Sequence, residues 1–216
     1  MPRQTILIRF AACALGLAAA GASQAAPDSW TLHLVWSPDF CESNLTSKEP
    51  QCTEERYFTV DGLLPHFADG AKPECSDDAL SDEELERWMV TIPNRAQIRK
   101  TWKKQGACSG LDSAGYYIQL ERASRRLVVP AEFGAVTETL KLSRALVKSA
   151  FIASNPGLNE ESLQLDCRGR SLAGVSVCFD AEFQYQACTV AEHCSAAEVS
   201  LRPLRASRVG REPVYR

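Results

Sequence analysis

The stretch Leu32–Cys41 reads LHLVWSPDFC and is the starting point for interpreting this chain. It overlaps Trp30–Trp36, a run rich in β-branched and aromatic residues that is typical of a β-strand. Two further segments follow along the chain: Phe58–Pro65 reads FTVDGLLP, and Trp102–Cys108 reads WKKQGAC. No one of the three segments identifies a fold alone, but their order and spacing, together with the cysteines, do.

Two helices are predicted from their end signals. Ser81 and Glu84 form a capping-box pattern, so a helix is expected from Ser81 to about Met89. Ser143 is expected to cap another helix. That helix would end at 155–157, where the chain reads Asn-Pro-Gly, because proline cannot continue a helix.

The remaining elements make the chain a mixture of helices and strands. Gln97–Gln105 is expected to be helical around Trp102, and Gly174–Phe179 reads as a central strand. Tyr116–Leu120 fits either a strand or the start of a helix. Because strands and helices do not alternate regularly, the pattern indicates the α+β class.

The N-terminus has the order of features found in a secretory signal peptide. Arg3 and Arg9 flank a short mixed segment of polar and apolar residues, 10–20 is an apolar run, and small residues follow up to Ala25. The run is shorter than the ~20 residues of a membrane-spanning helix. We therefore predict a signal peptide at 1–25, a secreted or periplasmic protein, and no insertion in the membrane after cleavage.

The cysteines and charges of the mature chain favour an oxidising compartment. Removing Cys13 from nine cysteines leaves eight, which suggests four disulfides. The spacing of the cysteines and histidines does not match a metal site, since there is no C-x-x-C and the three histidines are dispersed. Neither a metal nor a cofactor is therefore expected. Without Arg3 and Arg9, 22 basic residues face 27 acidic ones, a net charge of −5.

The mature chain is expected to form one domain at 26–201, followed by a basic tail at 202–216. The tail holds five arginines and a single acid, Glu212. Such a segment could contact phosphates, although a solvated, frayed terminus is the more common outcome.

Together the three segments resemble the ribonuclease T2 family. Its members carry a strand ending in W-x-x-x-F-C, then F-x-x-H-G-L-W-P, then H-E-W-x-K-H-G-T-C. Ser143–Cys167 and Leu172–Cys178 are similar to the C-terminal half of bacterial members. The resemblance implies a central antiparallel sheet packed by helices. It also implies four disulfide pairs: Cys75 with Cys108, Cys41 with Cys52, Cys178 with Cys188, and Cys167 with Cys194.

The family's catalytic histidines are missing from the positions that match its motifs. The resemblance implies cleavage of RNA by attack of the ribose 2′-hydroxyl on its own phosphate, with histidines as acid and base and a lysine as the cation. Here the histidine positions hold Asp61, Lys100 and Gln105, and the glutamate position holds Thr101. Only the lysine remains, as Lys104, while scaffold residues such as Gly62, Pro65, Trp102, Gly106 and Cys108 are kept.

These replacements predict a large loss of activity. An unperturbed Asp titrates about 2.5 units below a His, an unperturbed Lys is a poor acid, and Gln cannot transfer a proton. Losing one positioned acid or base typically costs a factor of about 10²–10⁴. We further hypothesise that Asp61 and Lys100 form an ion pair across the cleft. The alternative is an altered enzyme with Asp61 as base and Lys100 as acid.

Three functions follow from this reading. The first is a non-catalytic protein that binds RNA or a nucleotide through Lys104, Lys103, Lys100 and Trp102, although Trp102 is more simply expected to pack beneath the site. The second is an RNA endonuclease with altered chemistry, releasing 2′,3′-cyclic phosphate ends. The third is a platform for an envelope or extracellular protein partner.

Among the histidines only His66, just after Pro65, is a candidate for the site, whereas His33 and His193 are expected at the surface or in packing.

Overall fold

A computed structural model describes residues 26–68 and 73–205. The predicted signal peptide at 1–25 and most of the predicted tail lie outside these residues. In the described part, no helix is both long and apolar enough to cross a membrane.

The strands of the described part are β1 (Ser29–Trp36), β2 (Phe58–His66), β3 (Leu140–Ser143), β4 (Leu163–Arg168), β5 (Ser171–Asp180) and β6 (Glu198–Leu201). Its helices are α1 (Ser37–Ser43), α2 (Pro50–Thr53), α3 (Asp82–Trp88), α4 (Arg95–Lys104), α5 (Ser113–Ser124) and α6 (Arg144–Ser154).

The strands form one six-stranded sheet. Its order is β2-β1-β5-β6-β3, and β4 pairs with β5 outside this path. Pairing is antiparallel except between β5 and β6, which meet in parallel at Ser171 and Ser200. The α+β class is confirmed, and the antiparallel sheet is confirmed apart from this one short contact.

Strand β1 separates the core from a polar face because side chains alternate along a strand. Trp30, Leu32, Leu34 and Trp36 are all buried in the hydrophobic core. The intervening residues lie on the other face, where His33 is half-buried. This polar face of the sheet forms one side of the site described below.

The helix signals of the sequence match the helix ends. The Ser81 side chain and the Glu84 side chain cap α3 reciprocally, and Ser143 caps α6 by accepting from Leu146 N. Helix α4 covers the segment expected around Trp102. The segment Tyr116–Leu120, for which strand and helix were both open, is helical within α5.

All four expected disulfides are present. Cys41 pairs with Cys52, Cys75 with Cys108, Cys167 with Cys194, and Cys178 with Cys188. The pair Cys75–Cys108 closes the longest loop of the four, with a sequence separation of 33, and attaches the segment before α3 to the 3₁₀ turn Gly106–Cys108 that follows α4. The pairing inferred from the family resemblance is therefore confirmed.

The start of the predicted tail packs on the domain. The Trp36 indole N–H donates to the carbonyl of Arg202 at 3.0 Å, and Arg205 forms an ion pair with Glu42. Residues 202–205 are thus held against α1 and β1, and the expectation of a frayed segment does not apply to them.

Gly174 is needed where β5 lies against β1. A Cβ at this position would lie 2.2 Å from the carbonyl oxygen of Leu34, a backbone atom that cannot move aside. We expect Gly174→Ala to lower the free energy of unfolding by about 3 kcal/mol, at the upper end of overpacking costs. Chemical denaturation of the oxidised protein measures this difference.

Gly169→Ala is the matched control for this prediction. Gly169 has a φ of 61° but no neighbouring atom within 4 Å of a Cβ, so only backbone strain of about 1–2 kcal/mol is expected. A larger loss of stability at Gly169 than at Gly174 would contradict the strand contact.

Candidate functional site

The candidate site is built where α4 packs against a bulge in β2. His33 pairs with Gly62 and Leu34 pairs with Val60, so Asp61 is the extra residue of the bulge. In such a bulge, two residues of one strand stand opposite one residue of its neighbour. The bulge therefore brings Asp61, at the family's first histidine position, beside His33 on β1.

Helix α4 holds the backbone of this bulge through two hydrogen bonds. The Thr101 hydroxyl donates to the carbonyl of Asp61 at 2.6 Å, and Gln97 Nε2 donates to the same oxygen at 3.0 Å. Both Thr101 and Gln97 are buried. Thr101, which stands at the family's glutamate position, thus supports the site from beneath and does not reach a ligand.

The close approach of β2 and α4 depends on Gly62. A Cβ there would lie 2.3 Å from Gln105 Oε1 and 3.1 Å from Thr101 Cγ2. Gln105 is half-buried, and its Oε1 lies 3.2 Å from the hydroxyl of Tyr116. Gln105, which the sequence resemblance matched to the family's last histidine, is therefore an amide enclosed between strand β2 and helix α4.

Burial has the largest effect on the Asp61 carboxyl. It raises the pKa of Asp61 above its ordinary value, while the positive charges of Lys100 and His33 act in the opposite direction and the Asp166 carboxylate adds to the rise. Four titratable groups therefore share one electrostatic environment. The carboxyl of Asp61 makes no side-chain hydrogen bond to any residue the structure describes.

The ion pair hypothesised between Asp61 and Lys100 is not present within 26–68 and 73–205. The Lys100 ammonium instead lies 3.5 Å from Gln97 Oε1 and influences Asp61 only through its charge. The reason is that Lys100 is on an exposed face of α4, whereas Asp61 is drawn into the bulge.

His33 belongs to a hydrogen-bonded trio with Ser176 and Asp166 on the polar face of the sheet. Ser176 Oγ donates to Asp166 Oδ2 at 2.7 Å and lies 3.0 Å from His33 Nδ1, while Nδ1 and Oδ2 are 3.8 Å apart. Burial alone would raise the pKa of Asp166, but the His33 imidazole and the Ser176 hydroxyl outweigh it and lower that pKa. Asp166 is therefore a carboxylate at neutral pH.

The lysines of α4 occupy its exposed surface. Lys100, Lys103 and Lys104 are all exposed; Lys103 and Lys104 lie in the last turn of the helix, and Lys100 lies one turn earlier. Lys103 lines a separate cleft of about 360 Å³ beside Asp77, Asp78 and Arg99. Lys104 makes no ion pair with any described residue, so its charge is available to a ligand.

Trp102 has the packing role that the sequence favoured. It is 4% exposed, its ring is tilted against Tyr116, and its indole N–H donates to the carbonyl of Asp78 at 2.7 Å. A base cannot stack on a ring that is enclosed in this way.

The histidines are placed differently from the sequence expectation. His66 Nε2 lies 2.8 Å from the Thr31 hydroxyl. His66 is four residues beyond Gly62 on β2, so at about 3.3 Å per residue the two residues are roughly 13 Å apart. His33, which was expected at the surface or in packing, lies beside Asp61 on the paired strand, and its imidazole lowers the pKa of Asp61 only when it is protonated. Contact of RNA with His66 stays a prediction.

Sequence reasoning missed His33, Ser176 and Asp166 as parts of the site. The only available signal was His33, which with Thr31 is one of two polar residues at alternate positions in the run Trp30–Trp36. Its partners lie 143 and 133 residues away on strands β5 and β4, and no local pattern joins them.

The sheet, the helices and the disulfides together define the class of this protein. The chain has the fold of the T2-type ribonucleases, as the resemblance of its motifs predicted. The likeness establishes the fold and leaves open the chemistry of the cleft.

Particular relatives illustrate the likeness. The chain is similar to the RNase-related protein from Calystegia sepium, with 21% identity and a TM-score of 0.65, over 84% of this chain and 100% of that one. It is also similar to trichomaglin, described as an S-like ribonuclease, with 20% identity and a TM-score of 0.66, over 82% and 98% of the two chains. The SF11-RNase associated with self-incompatibility in Nicotiana alata has 15% identity and a TM-score of 0.60, over 82% and 99%.

Two curated bacterial proteins match in sequence. A ribonuclease of Aeromonas hydrophila is 28% identical over 90 residues, which are 42% of this chain and 41% of that protein. A probable ribonuclease of Haemophilus influenzae is 25% identical over 183 residues, which are 77% of this chain and 62% of that protein. The matches thus cover less than two thirds of either relative. No family model matches the chain.

Proposed function

We propose that this chain is an exported protein of the T2-type ribonuclease fold that binds RNA or a nucleotide beside α4 and whose cleavage activity is lost or strongly impaired. The proposal rests on the contrast between the packing of the site and the side chains at its histidine positions. The frame of the cleft is closely fitted around Gly62, but the three histidine positions hold Asp61, Lys100 and Gln105. None of these side chains in its ordinary state exchanges protons near neutral pH.

Binding is supported by the cations that stay on α4. Lys100 and Lys104 are one helical turn apart and both exposed, so they present positive charge to the same ligand. The mature chain is expected to carry a net charge of −5, which repels a polyanion elsewhere on the surface. RNA would therefore be held locally, at this helix. An envelope or extracellular protein partner is the outcome if no nucleic acid binds.

Export is supported by the disulfides. Four disulfides join the domain, and such bonds persist in extracellular or periplasmic space and are rare in the cytosol. The N-terminal segment also supports export, because its charged, apolar and small residues follow one another in the order found in signal peptides.

An altered endonuclease is the second candidate, and one observation favours it. Burial raises the pKa of Asp61, which brings this carboxyl closer to the range of a useful general base. In this alternative Asp61 takes the ribose 2′ proton, Lys100 protonates the leaving oxygen and Lys104 stabilises the phosphate. The product would carry a 2′,3′-cyclic phosphate.

One experiment on the purified, oxidised mature protein separates these functions. Over about pH 4–8 we expect no RNA cleavage that depends on Lys104. We expect salt-sensitive binding of single-stranded RNA, and Lys104→Ala should reduce the slope of log affinity against log salt by about 0.7, the value for one lost phosphate contact. Fluorescence anisotropy with labelled RNA measures both the affinity and the slope.

Lys141→Ala is the matched control, because Lys141 is also exposed but lies on β3. Its salt slope should equal that of the unmodified protein. Cleavage that requires Lys104 and disappears in Asp61→Asn would establish the altered enzyme instead. Absence of RNA binding in all variants would direct the search to a protein partner.

A further inference from the structure

The α4 side and the sheet side of the candidate site differ in hydrogen-bonding character. On the helix side, Lys100 and Lys104 are donors with positive charge. On the sheet side, Asp61 and His33 lie beside each other on paired strands, and Asp166 stands behind His33. A ligand between these sides meets cations on one and acceptors on the other.

The hydrogen bonds of the trio determine which imidazole nitrogen a ligand can use. The single hydroxyl proton of Ser176 is donated to Asp166, so Ser176 Oγ can only accept from His33 Nδ1–H. In a neutral imidazole, a proton on Nδ1 leaves a lone pair on Nε2. Nε2 makes no hydrogen bond to the described residues, and the His33 side chain is 32% exposed.

We propose that His33 recognises the ribose 2′-hydroxyl of bound RNA through Nε2, with Ser176 and Asp166 as the residues that position the imidazole. The proposal rests on the RNA-binding function argued above and deepens it. It assigns to this chain a means of distinguishing RNA from DNA that does not use the histidine positions of the family motifs.

A sugar hydroxyl fits this side of the cleft better than a phosphate does. Nε2 of a neutral imidazole and the carboxyl oxygens of Asp61 can both accept a hydrogen bond, so together they favour a group that donates one. A phosphate here would face the carboxylates of Asp61 and Asp166, whereas on the helix side it would face Lys100 and Lys104. The 2′-hydroxyl is the donor that RNA has and DNA lacks.

The experiment compares a short single-stranded RNA with DNA of the same base sequence. A third ligand, the 2′-fluoro analogue, retains a 2′ substituent but cannot donate a hydrogen bond. At about pH 8, where imidazoles are ordinarily neutral, we expect RNA to bind roughly 3–10-fold more tightly than the other two, as one net hydrogen bond allows.

His33→Phe keeps a ring on the strand while removing both nitrogens, and is expected to bring the RNA-to-DNA affinity ratio close to 1. Asp166→Asn should reduce the ratio partially, because the imidazole is then less well positioned. DNA affinity should stay unchanged in His33→Phe, which shows that the fold and the α4 lysines are intact. Asp166→Asn removes a negative charge and should raise the affinity for RNA and DNA alike, so only the ratio is compared for this variant. A role of His33 in packing alone would not alter the ratio selectively.

Imidazole nitrogen NMR gives an independent test, since the chain contains only three histidines. Neutral His33 should carry its proton on Nδ1, and Ser176→Ala should release this preference. Finding the proton on Nε2 in the unmodified protein would overturn the proposal.

The outcomes separate this proposal from the function on which it rests. RNA binding that depends on Lys104 but shows the same RNA-to-DNA ratio in His33→Phe would overturn the role of His33 and leave the proposed function standing. If neither RNA nor DNA binds, the proposed function fails, and the role of His33 fails with it.

Discussion

The combined substitutions Asp61→His, Lys100→His and Gln105→His are expected to raise the rate of RNA cleavage by about 10²–10⁴-fold or more. The physical reason is that imidazole can act as acid and base near neutral pH, whereas the present side chains in their ordinary states cannot. The backbone that would carry the imidazole of Asp61→His is already held in place, because Thr101 and Gln97 both donate to the Asp61 carbonyl. The measurement is kcat/KM for RNA, with detection of 2′,3′-cyclic phosphate ends.

Adding Lys104→Ala to the triple variant provides the control. It should remove most of the gained activity, since the lysine is the cation that faces the phosphate in the family's motif. A contaminating nuclease would be insensitive to this change. If the triple variant folds, binds RNA and still shows no gain, the shape of the site limits the chemistry, and the side chains at positions 61, 100 and 105 do not.

Removal of the Cys75–Cys108 disulfide is expected to have the largest effect on stability. This bond closes a loop with a sequence separation of 33, and the chain-entropy model assigns about 3–4 kcal/mol to a loop of that length. The double variant Cys75→Ser, Cys108→Ser should lose that amount of unfolding free energy. The bond also attaches the segment before α3 to the 3₁₀ turn that follows α4, where Ser76 N donates to the carbonyl of Ala107.

The matched comparison is the double variant Cys178→Ser, Cys188→Ser. Its loop has a sequence separation of only 10, for which the same model gives about 2–3 kcal/mol. Denaturant unfolding of both variants and of the oxidised protein measures the difference. A greater loss for the short loop would show that local packing, and not chain entropy, dominates the contribution of these disulfides.

Several parts of the site could be predicted from sequence because they depend on short segments. The positions Asp61, Lys100, Thr101, Lys104 and Gln105 follow from two motifs, each contiguous in the chain. The structure brings β2 and α4 together as the motifs imply. The side chains do not all act as their positions suggest, since Thr101 is buried beneath the bulge and Gln105 is wedged against Gly62.

The hypothesised ion pair shows why motif positions alone do not determine contacts. Asp61 and Lys100 occupy positions whose histidines would face one cleft, and opposite charges at such positions suggest pairing. A pairing distance depends on the bulge in β2 and on the exposure of Lys100, and neither can be read from residue types. Lys100 therefore acts on Asp61 only at longer range.

By itself the sequence determined the class of fold, strand β1, the capped helices and, through the family resemblance, the four disulfides, because these depend on local patterns and on cysteines in a recognisable order. Only the tertiary structure placed His33 beside Asp61 and joined it to Ser176 and Asp166. The reason is physical: these groups meet through pairing of strands that are far apart in the chain, and hydrogen-bond direction exists only once the strands are in register.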